Sequence, residues 1–150
     1  MRTPVETVLL FGLVFVTGNL AFAPNLCDAQ EKKNAASEQF IGTWKLISAN
    51  YGGEEQILED VTLKHFTPTS FVWTSFDPKT KLVSRTAGGI YTLNGDQIVE
   101  TPQYGLGEDF EIVRDKPQTF SFKIEGDRWH HSGTLSNGLK IDEVWERCKK

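Results

Sequence analysis

Punctuation constrains this chain more than any other feature. After residue 39, short blocks of β-prone residues alternate with turn signals, and no long helical period separates them. Blocks this short, cut this often, predict strands rather than helices. Val61 to Phe66 forms one block, and Thr67-Pro68-Thr69 turns it. Ser70 to Asp77 forms the next, with Phe71 and Trp73 on one face and Val72, Thr74 and Phe76 on the other. Its turn, Asp77-Pro78-Lys79-Thr80, has a mechanism: Pro presets the backbone angle and Asp caps the start.

The pattern continues to the end of the chain. Leu82 to Arg85 begins a strand that Ala87-Gly88-Gly89 bends, or marks with a bulge, before Ile90 to Leu93. Asn94-Gly95-Asp96 is a hairpin signal, and Gln97 to Thr101 returns. Gly105 to Asp109 predicts a loop, and Phe110 to Val113 a short strand or a helical turn. Thr119 to Glu125 alternates cleanly, Phe120, Phe122 and Ile124 against Thr119, Ser121 and Lys123. Gly126-Asp127 leads into Arg128 to Leu135, and Ser136-Asn137-Gly138 into a last strand, Leu139 to Arg147. The sum is about eight or nine short strands, which suits an all-β, up-and-down antiparallel barrel, because closure removes exposed sheet edges. An immunoglobulin-like sandwich is the structural alternative, and its Cys–Trp–Cys spacing is missing.

The barrel needs a first strand, and Phe40 to Asn50 supplies it. Alternation puts Phe40, Gly42, Trp44, Leu46 and Ser48 on one face and Ile41, Thr43, Lys45, Ile47 and Ala49 on the other. Trp44 is placed to plug one end of the barrel, with Gly42 leaving room for its ring. Tyr51 to Asp60 follows, long enough for a loop or about two helical turns.

Gly42-Thr43-Trp44 at the head of this strand resembles the opening motif of the calycins, the superfamily of lipocalins and fatty-acid-binding proteins. Phe40 to Leu46 is similar to the fatty-acid-binding opening over its whole length. Val144-Trp145-Glu146-Arg147 looks like the closing strand of the same superfamily, and the resemblance implies that Arg147 packs over Trp44. Residues 40–147 resemble small secreted bacterial lipocalin-like proteins with no assigned activity, on the blocks Lys64 to Thr69, Trp129 to Gly133 and Leu135 to Leu139. Two features depart from the fatty-acid-binding pattern. Tyr51 to Asp60 is too short for a helix pair, and Glu143-Val144-Trp145 stands where an Arg-x-Tyr pair would hold a ligand carboxylate. With Glu143 inward, such a barrel would repel a fatty acid.

The 150 residues divide into three parts. Residues 1–29 predict a secretory signal: Arg2, then the apolar run Val8 to Val16, too short for a spanning helix. Cleavage after Ala29 is preferred over cleavage after Ala23, which would leave Pro24 next. The first leaves Cys148 a lone thiol; the second permits a Cys27–Cys148 disulfide in an exported protein. Residues 30–38 are a polar leader, and 39–150 form the barrel. The expected location is periplasmic or extracellular, with no stable membrane span once the signal is removed. A net charge of −4 without a basic run argues against nucleic acid as partner.

Ten Phe and four Trp supply the aromatic area for a core or a cavity lining. Trp73, Tyr91, Tyr104, Phe120, Phe122, Trp129 and Trp145 are candidates for that lining. His130 and His131 point to opposite faces of one strand, so they cannot share a metal, and no zinc-type Cys/His spacing is present. Glu143 with His131 or His65 would form a carboxylate–imidazole site in an apolar cavity. We therefore expect a barrel binding a small apolar or amphipathic ligand through Trp73, Tyr91, Tyr104, His131, Glu143 and Trp145. Gly42, Trp44 and Arg147 form its structural motif, and no metal or cofactor is expected. The alternatives are an enzyme using Glu143 and a His, or an interaction module with a filled core.

Overall fold

Every predicted block except Phe110 to Val113 becomes a strand, and each of these pairs with the next of them in sequence. The structure is a computed structural model and describes residues 38–149; the segment expected to be a signal, most of the expected leader and Cys27, with its possible pairing to Cys148, lie outside the described residues. The strands are β1 (Gly42–Tyr51), β2 (Glu54–Glu55), β3 (Val61–Phe66), β4 (Ser70–Phe76) and β5 (Val83–Asn94), then β6 (Gln97–Leu106), β7 (Gln118–Glu125), β8 (Arg128–Thr134) and β9 (Lys140–Arg147). All neighbours run antiparallel, and β1 pairs with both β3 and β9, which closes an eight-stranded barrel. The two-residue β2 is an extra strand against the Tyr51 end of β1. The segment from Phe110 to Val113 is helical, within a short helix Glu108–Val113 that buries Phe110 and Val113.

One end of the barrel is filled by aromatic rings. Trp129 meets Phe40, Phe66 and Trp44 edge-on, at centroid distances of 5.4, 5.5 and 5.8 Å. Trp44 is fully buried and its indole Nε1 donates to the Phe40 carbonyl at 2.9 Å. The Arg147 guanidinium covers the outer face of Trp44. Gly42 makes room for this guanidinium rather than for the Trp44 ring. A Cβ there would lie 3.3 Å from Arg147 Nη1, and the backbone takes φ 126°, which a side chain would strain.

Of three register shifts among the described strands, the third leaving Ser84 extra between β4 and β5, two change the faces read from simple alternation. Leu46 pairs with Trp145 and Ser48 with Val144, so Ile47 is an extra residue opposite no partner. Beyond it the faces exchange: Ser48 is exposed, while Ala49 is buried and Tyr51 packs against the core. On β6, Tyr104 pairs with Gly88 and Pro102 with Gly89, so Gln103 is the extra residue. The irregularity at Gly88-Gly89 therefore sits mainly on the partner strand. Gly89 permits it, because a Cβ there would come within 2.0 Å of the Thr101 carbonyl oxygen. Glu100 and Pro102 point inward, and the bulge turns Tyr104 out.

Candidate functional site

Between the aromatic plug and the open end, four strands each turn an ionisable residue inward. They are Lys64 on β3, Glu100 on β6, His131 on β8 and Glu143 on β9, and all four are buried. Each stands in phase with a buried apolar neighbour two residues away: Phe66, Ile98, Trp129 and Trp145. The same alternation that builds the core thus places these charges inside it.

Buried charges need partners. Lys64 Nζ lies 2.6 and 2.7 Å from the two oxygens of Glu100. The same ammonium stands over the rings of Phe71, Trp129, Phe66 and Trp145 at 5.2, 5.3, 5.6 and 5.6 Å. Glu143 collects three donors. The Tyr51 hydroxyl donates to Oε1 at 2.7 Å, while His131 Nδ1 and Trp145 Nε1 reach Oε2 at 2.9 and 3.0 Å. Burial by itself would raise the Glu143 carboxyl. The His131 hydrogen bond and charge, the Lys64 ammonium and the Tyr51 hydroxyl outweigh it and hold that carboxyl below the usual carboxylate range. Burial first, and then the Glu143 charge, push the Tyr51 hydroxyl well above its ordinary value.

An ionised carboxylate only accepts, so the hydrogen between His131 and Glu143 belongs to Nδ1. The other ring nitrogen, Nε2, is buried and finds no hydrogen-bond partner among the described residues. His131 also packs against Phe120 and Trp129, at centroid distances of 4.2 and 4.8 Å. Gly133 allows the first contact, since a Cβ there would lie 2.8 Å from the Phe120 ring.

Over this polar layer lies a cavity of about 500 Å³ that opens at the end opposite the plug. Leu46, Trp73, Phe120, Ile141 and Trp145 form apolar wall, and His131, Glu143, Lys64 and Glu100 border it. Residues 56–60, the short helix and the β8–β9 turn surround the mouth. There Arg85 pairs with Asp109 at 2.9 Å, both half exposed.

The structure gathers Trp73, His131, Glu143 and Trp145 at this cavity, with Phe120. Tyr91 is elsewhere: it packs beside Phe40 and Phe66 in the plug and donates its hydroxyl to the Thr67 carbonyl at 2.9 Å. Phe122 and Trp129 also contact Phe40 in the plug. Tyr104 lies on the outer surface, 55% exposed, turned there by the bulge at Gln103. His65 does not approach Glu143. It faces outward and bonds Thr43 Oγ1 at 2.8 Å, so the imidazole beside Glu143 is His131. Neither Arg128 nor Arg147 pairs with Glu143; Arg147 is engaged with Trp44. Sequence reasoning missed Tyr51, Lys64 and Glu100. Lys64 and Glu100 were findable, since period-2 alternation with Phe66 and Ile98 places them inside. Tyr51 was hidden by the bulge at Ile47.

No protein-family model and no curated protein matches the chain. Solved structures do. An uncharacterized protein from Bacteroides eggerthii aligns with a TM-score of 0.53 and 17% identity, over 73% of this chain and 99% of that one. A lipocalin-like protein from Bacteroides uniformis aligns with a TM-score of 0.52 and 16% identity, over 73% and 98%. A redesigned β-barrel follows at 0.50 and 14%, over 76% and 96%. At these identities the likeness is one of fold, and the fold is a lipocalin-like barrel.

Proposed function

We propose that this barrel is an exported binding protein for a small amphipathic molecule. The observation that carries this reading is the cavity of about 500 Å³, open at one end, with apolar walls over a polar layer. Small-molecule sites have that character: roughly 300–1,000 Å³, mostly apolar, with a few convergent polar groups. The apolar walls take the body of the ligand, and the unpartnered His131 nitrogen takes its polar end. Export rests on residues 1–29, and amino-terminal sequencing of the secreted protein should begin at Gln30.

The test is native mass spectrometry on protein taken from a bacterial periplasm, beside a denatured control. An extra mass lost on denaturation supports the reading and gives the ligand class. Absence of any such mass, together with no tryptophan response to a panel of amphiphiles, would sink it.

One observation favours a second reading. In the His131–Glu143 pair the carboxylate orients the ring and leaves Nε2 able to take a proton from a bound molecule. On that reading the barrel is an enzyme with an acid–base site. Turnover would then vanish in Glu143→Gln while ligand affinity survived; unchanged turnover in that variant would refute it.

A further inference from the structure

We propose that the cavity selects ligands whose apolar body ends in a hydrogen-bond donor, best of all a protonated amine, and discriminates against carboxylates. This rests on the binding reading above and names the ligand class of the same site. Two observations carry it independently.

The first is the direction of the His131 hydrogen bond. Glu143 accepts from Tyr51, Trp145 and His131 Nδ1. With one hydrogen on Nδ1, the ring in its neutral form presents a lone pair at Nε2. That nitrogen belongs to a side chain 2% exposed on the cavity wall, and it has no partner among the described residues. A buried acceptor left unmade is costly, so the molecule that completes it is one that donates. Elsewhere in the layer Lys64 pairs with Glu100 and Ser75 bonds Thr62 at 2.6 Å; the Trp129 Nε1, also without a hydrogen-bond partner among the described residues, belongs to a ring that does not line the cavity.

The second is charge. The cavity is bordered by Glu59, Asp60, Glu100, Asp109 and Glu143 against Lys64 and Arg85. Both cations are already paired with carboxylates, Lys64 with Glu100 and Arg85 with Asp109. Carboxylates therefore outnumber cations around the cavity, with Glu59 and Asp60 at its mouth and Glu143 inside, which favours a cationic ligand. An ammonium group satisfies the Nε2 lone pair, offsets the surplus carboxylates and can lie against the Trp73 and Trp145 rings. A carboxylate would bring an acceptor to an acceptor and a negative charge to negative ones.

The experiment is calorimetric titration of the purified protein with three probes of one chain length: decylamine, decanol and decanoate. One site per molecule is expected, with decylamine bound at least about tenfold tighter than decanoate and decanol between them. Decanoate binding as tightly as decylamine overturns the inference while leaving the binding function standing. Binding of none of the three overturns both. Glu143→Gln sharpens the result. A glutamine amide can donate to Nδ1, which moves the ring hydrogen to Nε2 and removes one negative charge. The preference for decylamine over decanoate should then collapse in the variant; a preference equal to that of the unmodified protein would overturn the role given to the His131 acceptor. The comparison of probes on the unmodified protein needs no variant to fold.

Discussion

The Arg147 guanidinium carbon lies 4.1 Å from the centroid of the Trp44 ring, and the same guanidinium donates to the carbonyls of Ile41 and Gln39. The last strand thus holds the start of the first at the closed end of the barrel. A cation–π contact at a partly exposed site and two hydrogen bonds to carbonyls give a cost for Arg147→Ala of about 1–2 kcal/mol. Arg147→Lys should recover little, since an ammonium cannot stack flat and reach both carbonyls. Urea denaturation of the three proteins checks this, and a lysine variant as stable as the original would remove the geometric account.

Lys64 and Glu100 form a buried pair, with side chains only 4% and 6% exposed. Removing one partner strands the other, so Lys64→Met or Glu100→Gln alone should cost about 3–5 kcal/mol. The double substitution Lys64→Met with Glu100→Leu should cost far less than the sum, because no charge is left unpaired. A double-mutant cycle measures the difference, and additive losses would mean that the two side chains do not act as a pair.

The pH dependence follows from the signs of two shifts. Glu143 is held below its ordinary 4.5 in the folded state. Its stabilising share is therefore present above that value and lost as pH falls through the folded one. Glu143→Gln should lose stability near neutrality and show a shallower decline in acid. Denaturation midpoints measured between neutral and acid pH decide it; parallel curves for the two proteins would count against a lowered carboxyl.

Tyr51 has the opposite sense. Its hydroxyl is raised above the ordinary 10.0 by burial and by the Glu143 charge. Its share is complete below pH 10.0 and is lost as the solution becomes more alkaline, where only the unfolded chain ionises. Tyr51→Phe should flatten that alkaline limb in part. Tyr91, also raised by burial, keeps the remainder. Absorbance titration of the tyrosines would show a late-ionising group lost in the variant.

How far the sequence was legible depends on where the period of two held. Phe120, Phe122 and Ile124 alternate without interruption, and the faces read from them are the faces observed. The strand blocks and the Asn94 hairpin were readable for the same local reasons, whereas the contact of Arg147 with Trp44 was implied by the resemblance of the two terminal strands to those of the calycins. Two of the errors lie behind bulges, while Tyr91, Phe122 and Trp129 were given the right face but the wrong end of the barrel. One extra residue at Ile47 carried Tyr51 inward, and one at Gln103 carried Tyr104 outward. A bulge is decided by how two strands fit, which no single block records. Lys64 was passed over for a different reason: a charge on an inward phase looks like a break in the pattern until its carboxylate partner, 36 residues away, is known.

Trp73 and Tyr104 test that distinction directly. Sequence reasoning grouped them as lining residues, and the structure sets them on opposite sides of the barrel wall. If the cavity holds the ligand, Trp73→Ala removes a large part of one apolar wall and should weaken binding by about tenfold or more, roughly 1.4 kcal/mol. Tyr104→Ala removes a ring lying over Gly88 on the outer face and should leave affinity unchanged, at a small cost in stability. Fluorescence follows the same geometry. Quenching on ligand addition should come from Trp73 and Trp145, which border the cavity, and be retained when Trp44 in the plug is replaced by Phe. Titrating the variants with a cavity-bound amphiphile reads both quantities at once. Loss of affinity in Tyr104→Ala, with Trp73→Ala unaffected, would place the ligand on the outer surface and not in the barrel.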